Sequence, residues 1–262
     1  MREYPIRVGS MLFTMVDPHR GHEVEYNRWY ERDHFYAGCL IGPWLFAGRR
    51  WVATRPLKDL RFPADSPVAV PVDAGSYLAI YWVLEGKHGE HFGWATDQVK
   101  SLYADGRGFD NRTHIHTALY THDWRHYRDE DPVPLELSLD HAFGGLVTVS
   151  IEREEGVTKE QVDRWYEDEL LPSWLPGSPV ASVSSWSQVP LRGDAPSFVP
   201  RDEGADRRSM HLYFLDADPR DAWDHFVELG KAVSGSGLAH AALAAPFIPT
   251  IVGTDTYVDE LW

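Results

Sequence analysis

Cysteine is almost missing from this 262-residue sequence: Cys39 stands alone, which excludes an intrachain disulfide and a cysteine-based zinc cluster. Its setting, Ala37-Gly38-Cys39-Leu40, carries nothing that marks an activated nucleophile. Positive charge is scarce as well. Twenty-five Lys and Arg stand against 40 Asp and Glu, a net charge of −15, and no basic run offsets it, so neither nucleic acid nor an acidic membrane surface is an expected partner. No apolar stretch reaches the roughly 18 residues a membrane span needs, and the N-terminus lacks a signal peptide's basic start and apolar run. A soluble cytoplasmic protein, monomer or homodimer, acting on a small molecule is the expectation. Gly-x-Gly-x-x-Gly, P-loop and Gly-x-Ser-x-Gly elements are absent too, which disfavours nucleotide cofactors and serine hydrolase chemistry.

What the chain does have is aromatic residues, 13% with 11 Trp, a surplus that suits a cavity for flat or apolar ligands. It also has a long internal repeat. Arg28-Trp29-Tyr30-Glu31 returns as Arg164-Trp165-Tyr166-Glu167, a little more than half the chain further on. The flanks agree: Gly42-Pro43, Trp51 and Pro56-Leu57 are matched by Gly177-Ser178, Trp186 and Pro190-Leu191, and Thr117–Thr121 by Thr250–Thr254. A repeat of this length is a whole folding unit, not a solenoid turn.

Pattern and punctuation give each unit the same order of elements. In the first, strand 6–16 precedes helix 23–37, capped by Gly38, then come strands 46–54 and 75–84, helix 88–104 and strand 114–123. In the second, strand 144–151 is followed by helix 158–171, opened by a Thr158…Gln161 capping box and stopped by Pro172. Strands 180–188 and 210–215, a helix from Pro219 to Gly230 and strand 248–257 complete it. The fold class is α+β, two ferredoxin-like β-α-β-β-α-β repeats at 1–127 and 144–262 joined by a linker at 128–143. A four-stranded sheet covered by helices on one face must bury the other, so the two repeats are expected to close an intramolecular barrel. Loops 58–74 and 192–208 are insertions or lids.

Alternation along the strands proposes a site. If the more apolar sets (Leu78, Ile80, Trp82, Leu84; Ile115, Thr117, Leu119) lie under the helices, then Tyr77, Tyr81, His114, His116 and Tyr120 line the barrel interior as a substrate-binding surface. Nine of the 13 histidines precede residue 131, and His34 aligns with Leu170, so the first repeat is expected to be the active half and the second a scaffold. Tyr30 lies one helical turn before His34 and Asp33 is its neighbour. An imidazole takes and returns a proton near neutral pH, which makes His34 the candidate base with Tyr30 and Asp33 as helpers. The competing reading of His34 is an ordinary helix-terminal histidine favoured by the dipole.

The Trp-Tyr-acidic-x-x-His segment of helix one, the Gly42-Pro43 turn and the aromatic-basic strand Phe46–Trp51 resemble the EthD-like members of the dimeric α+β barrel superfamily. The resemblance implies the fold and a site between the sheet and helix one in which His34 takes part. Relatives of several chemistries share that fold, including isomerases, cyclases, cofactor-free monooxygenases and haem enzymes, so fold alone does not choose among them. The expectation is a cofactor-independent lyase, isomerase or cyclase moving a proton on a small apolar or aromatic carbonyl compound. The alternatives are a non-catalytic barrel that binds a hydrophobic ligand, and a His-ligated divalent metal site at His19, His22 and His34, or a haem enzyme.

Overall fold

The computed structural model describes residues 4–190 and 204–262. Eight strands, β1 (Val8–Pro18), β2 (Leu45–Val52), β3 (Tyr77–Leu84), β4 (Arg112–Tyr127), β5 (Gly145–Arg153), β6 (Val180–Val189), β7 (Arg208–Leu215) and β8 (Ala239–Pro249), form one closed barrel in the order β1-β3-β2-β8-β5-β7-β6-β4. Each set of four keeps the ferredoxin-like order, and the sets meet at two antiparallel seams, β2 with β8 and β4 with β6. The seams are unequal. Eight residue pairs zip β4 to β6, from Leu119↔Val189 to Tyr127↔Ser182, whereas β2 and β8 share only Trp51↔Pro249 and Val52↔Ile248. Pro249 ends its strand and has no N–H to extend the ladder.

The register shows which side chains fill the barrel. Met11, Phe13 and Met15 face Trp82, Ile80 and Leu78 on one side and Tyr120, Ala118 and His116 on the other. Trp82 stacks on Trp186 at 4.9 Å, and Trp51 meets Phe214 at 6.2 Å. All four of these rings are fully buried. Eight strands leave an interior that side chains can just fill, and here Trp, Phe and Met fill it. The linker's Leu135, Leu139 and Phe143 join the same core.

This corrects the expected parity of β3. Leu78, Ile80 and Trp82 face the water-free interior, while Tyr77 and Tyr81 lie under helix one, where Tyr26 meets Tyr77 at 5.3 Å and Phe35 meets Tyr81 at 5.3 Å. The more apolar set of β3 fills the barrel because that space has no edge to solvent. The helix-covered layer does, so it tolerates side chains with polar tips. In β4 the expected parity holds from His116 on, with His116 and Tyr120 inward beside Met15 and Met11.

The helices are α1 (Glu23–Trp29), α2 (Arg55–Lys58), α3 (His88–Ala104), α4 (Lys159–Trp165), α5 (Leu171–Trp174) and α6 (Trp223–Gly235). In place of the expected single helix over 23–37, α1 passes into a π-helix, Tyr30–Leu40, and α4 likewise into a π turn, Tyr166–Leu170. Both changes fall between the Trp and Tyr of the repeated motif. Gly38 therefore lies inside the helix and caps nothing, and Pro172 opens α5 instead of stopping the segment. The Thr158–Gln161 capping box forms as expected. The last strand runs from Ala239 to Pro249, not 248–257: after Pro249 the chain turns, with Gly253 at φ 78°. In loop 58–74 Phe62 packs on Trp223 of α6, and most of loop 192–208 lies outside the described residues. No helix is long and apolar enough to cross a membrane among the described residues.

Candidate active site

Between helix one and the outer face of the first repeat's sheet lies a layer of rings and cations. π winding brings residues four and five apart onto one line, as the Ile41 N–H to Tyr36 carbonyl bond of 3.2 Å shows. One line, Tyr30, His34 and Cys39, meets the sheet at Tyr81: the Tyr30 and Tyr81 hydroxyls are 2.9 Å apart. The close approach requires Gly48, where a Cβ would stand 3.0 Å from both Leu40 and Tyr81.

His34 stacks on Trp29 at 5.0 Å and sets its edge on Tyr30, also at 5.0 Å. Neither ring nitrogen pairs with a described residue. Burial, with Arg112, His114 and Arg50 near, pushes its pKa down to about 3, so the ring is neutral at physiological pH although it keeps some contact with solvent. Asp33 does not orient it. The carboxylate is buried against Arg32, at 2.7 Å, and Arg107, and although burial alone would raise its pKa, these two cations hold it below the usual range.

His114 is on this side and not in the barrel. Its Nε2 accepts from Arg112 Nε at 3.3 Å, which leaves the proton on Nδ1 to donate to Thr117 Oγ1 at 2.8 Å. Burial and the adjacent Arg112 push its pKa down to about 4. Arg112 also lies 4.7 Å over the Trp29 ring. His116 and Tyr120 do face the interior, joined at 2.6 Å beside Phe13. The five expected pocket residues are thus divided by the sheet, with Tyr77, Tyr81 and His114 grouped near His34 and the other two separated from it.

Sequence reasoning missed Arg50. Its guanidinium is 4% exposed and lies over the rings of Tyr30 (4.5 Å), Tyr77 (5.2 Å) and Tyr26 (5.9 Å). Nη1 donates to Asn27 Oδ1 at 2.7 Å and Glu31 Oε1 at 3.3 Å. Nη2 and the Tyr77 hydroxyl are each buried without a hydrogen-bond partner among the described residues, and burial pushes that phenol's pKa up to about 12. The signal was alternation in β2: Arg50 stands between the inward Trp51 and Arg49, so it had to face the helix. The same layer in the second repeat holds Tyr166, Tyr213 and His211 but no equivalent of His34, since Leu170 packs into the core.

His19 bonds Thr113 and His22 bonds Glu25. No group of three His, Cys, Asp or Glu able to hold a metal forms among the described residues, so His19, His22 and His34 do not converge.

No protein-family profile matches the chain, and no curated protein does either. Solved structures do. A protein provisionally described as a chlorite dismutase is similar at TM-score 0.55 and 9% identity, covering 98% of this chain and all of that one. An anthrone oxidase-like protein is similar at 0.54 and 11%, covering 96% and 98%. A haem-bound DypB variant from Rhodococcus jostii RHA1 is similar at 0.48 and 12%, covering 96% and 94%. At these identities the likeness is one of fold, the dimeric α+β barrel, and it lends no support to the expected absence of a cofactor. Haem needs an axial ligand beside an open slot. The buried His211 Nε2 has no partner among the described residues, but Tyr166 stands 4.6 Å and Trp124 5.1 Å from its ring, and His34 is stacked on Trp29. Neither histidine lines any of the four cavities described for this structure.

Proposed function

We propose that the layer beneath helix one of the first repeat is the working site of an enzyme that moves a proton on a small, flat, apolar or aromatic carbonyl compound. The observation that carries this reading is Arg50: a buried cation in a box of three tyrosines, with one nitrogen and the Tyr77 hydroxyl each lacking an acceptor among the described residues. Buried donors without partners are costly, and an oxygen that gains negative charge would satisfy them best. Aromatic walls at Tyr26, Trp29 and Tyr30 suit a planar body. The anthrone oxidase-like neighbour is named for a flat aromatic ketone of this kind. The EthD-like resemblance of helix one and the fusion of two repeats in one chain belong to the same proposal.

In this reading a proton leaves the carbon next to the substrate carbonyl for a ring nitrogen of His34, and the electron pair moves onto the carbonyl oxygen beside Arg50 and Tyr77. Return of the proton to another carbon completes an isomerisation. His34 is a weak base because burial, Arg112, His114 and Arg50 oppose its charge. An oxyanion among those cations offsets them and raises its proton affinity as the reaction proceeds. Asp33 is removed from the machinery by its pairing with Arg32 and Arg107.

The low basicity also favours a second reading, a non-catalytic protein that holds the same ligand. Incubation with a panel of aromatic ketones and phenols, with products followed by mass spectrometry, separates the two. Turnover that falls roughly 10²- to 10⁴-fold in His34→Ala, and also in Arg50→Met, supports the enzyme. A compound converted equally well by wild type and both variants sinks it, and binding without conversion supports the holder.

A further inference from the structure

The neighbouring line of the π-helix, Glu31, Phe35, Tyr36 and Leu40, borders the short β2·β8 seam. There β2 from Leu45 to Gly48 has no strand partner on its β8 side, and the gap is bridged by the linker and the loop after Pro249. A cavity of about 400 Å³ occupies it, walled by that helix line, Phe46–Arg50, the linker's Leu139 and Ala142, and Val252. A second cavity of about 580 Å³ continues along the seam and shares Arg49, Thr250 and Val252 with the first. Both sizes suit a small organic ligand. The other seam, zipped over eight pairs, shows that the fold did not require this opening.

We propose that the β2·β8 seam is a second binding site, separate from His34, for an uncharged, flat aromatic compound. Charge argues for the uncharged form. Arg50 is engaged by Asn27 and Glu31, Arg49 donates to the Leu139 carbonyl at 3.1 Å and to the His141 carbonyl, and Glu31 also accepts the Gly253 N–H at 2.8 Å. Along both cavities Arg49, Arg50 and Arg220 stand with Glu31, Asp140, Asp218 and Glu260, so an anionic ligand would lose its hydration without gaining a net counter-charge. Shape argues for the flat ring. Phe35, Leu40, Phe46 and Leu139 line the cavity, and the rim carries apolar surface left uncovered by the described residues, with Tyr36 48% and Val252 64% exposed.

The test is calorimetric titration of the full chain with 2-naphthol and, as its anionic counterpart, 2-naphthoate. Val252→Glu and Tyr36→Ala alter exposed rim positions that the core does not need. Each is expected to weaken 2-naphthol about tenfold with an unchanged melting temperature, 2-naphthoate to bind at least about tenfold more weakly than 2-naphthol, and His34→Ala to leave 2-naphthol binding unchanged. The proposal is overturned if 2-naphthol does not bind, if both rim variants bind it like wild type, or if the naphthoate binds as tightly. Loss of binding in His34→Ala alone would place the compound beneath helix one instead. Since Tyr36 and Val252 lie outside the layer beneath helix one, the effect of the two rim variants succeeds or fails independently of the proposed reaction.

Discussion

Single residues in this protein are governed by where burial leaves their charge. His211 is fully buried with its pKa pushed down to about 3 by desolvation and then by Lys159. The unfolded chain takes up a proton near pH 6.5 that the folded form refuses, so stability is full above that value and falls as pH drops toward 3. At pH 5.5 this one group costs about 1.4 kcal/mol. His211→Phe should therefore shrink the gap between melting temperatures measured at pH 7.5 and 5.5, and an unchanged gap would refute the assignment. Arg50 works the other way: it is charged and enclosed. Arg50→Met strands Glu31 and Asn27 beneath helix one and should cost about 3 kcal/mol in chemical denaturation; a cost near zero would mean the guanidinium is not the ion the layer is built around. Roles at this scale were only partly legible. His34 was marked by its absence from the second copy, but Asp33 was assigned to the wrong partner because Arg107 lies far along the chain and meets it only in the fold.

At the scale of elements, the repeated Arg-Trp-Tyr-Glu did more than mark a helix. In both copies it marks where α winding gives way to π winding, and that change decides which residues share a face. The two π segments differ in length, eleven residues in the first repeat and five in the second, where Pro172 opens α5. Two element-scale tests follow. Thr158→Ala removes the side-chain half of the capping box and should destabilise by about 1 kcal/mol. Gly48→Val drives a side chain into Leu40, Tyr81 and Phe35; it should cost about 1–3 kcal/mol and lift the π-helix, seen as faster amide exchange across Tyr30–Leu40 than in β7. Exchange confined to global unfolding would contradict the packing described. Strand β8 was placed too late because its Ala-rich sequence gives little strand signal, and Pro249 ends the element where the motif match begins.

At the scale of the whole molecule, a single core lies inside a barrel to which both repeats contribute. Trp82 from the first repeat and Trp186 from the second stack at 4.9 Å, so neither half can complete its interior alone. Trp82→Ala should cost about 3–5 kcal/mol and lower the transitions of both halves together, with far-UV dichroism and tryptophan fluorescence remaining superimposable. Separate transitions would show two independent domains.

The sequence by itself determined the element order, the same in each half, and the need for two half-covered sheets to mate, because these depend on local periodicity and on a count of apolar faces. Only the tertiary structure decided which face of each strand turned inward, that large apolar rings from both halves meet in the interior, and that Arg50 is buried beneath helix one. Alternation supplies two sets of residues but not the sign that assigns them. That sign depends on which of two partners, a helix layer open at its edges or a barrel closed to water, each set could bury against more completely.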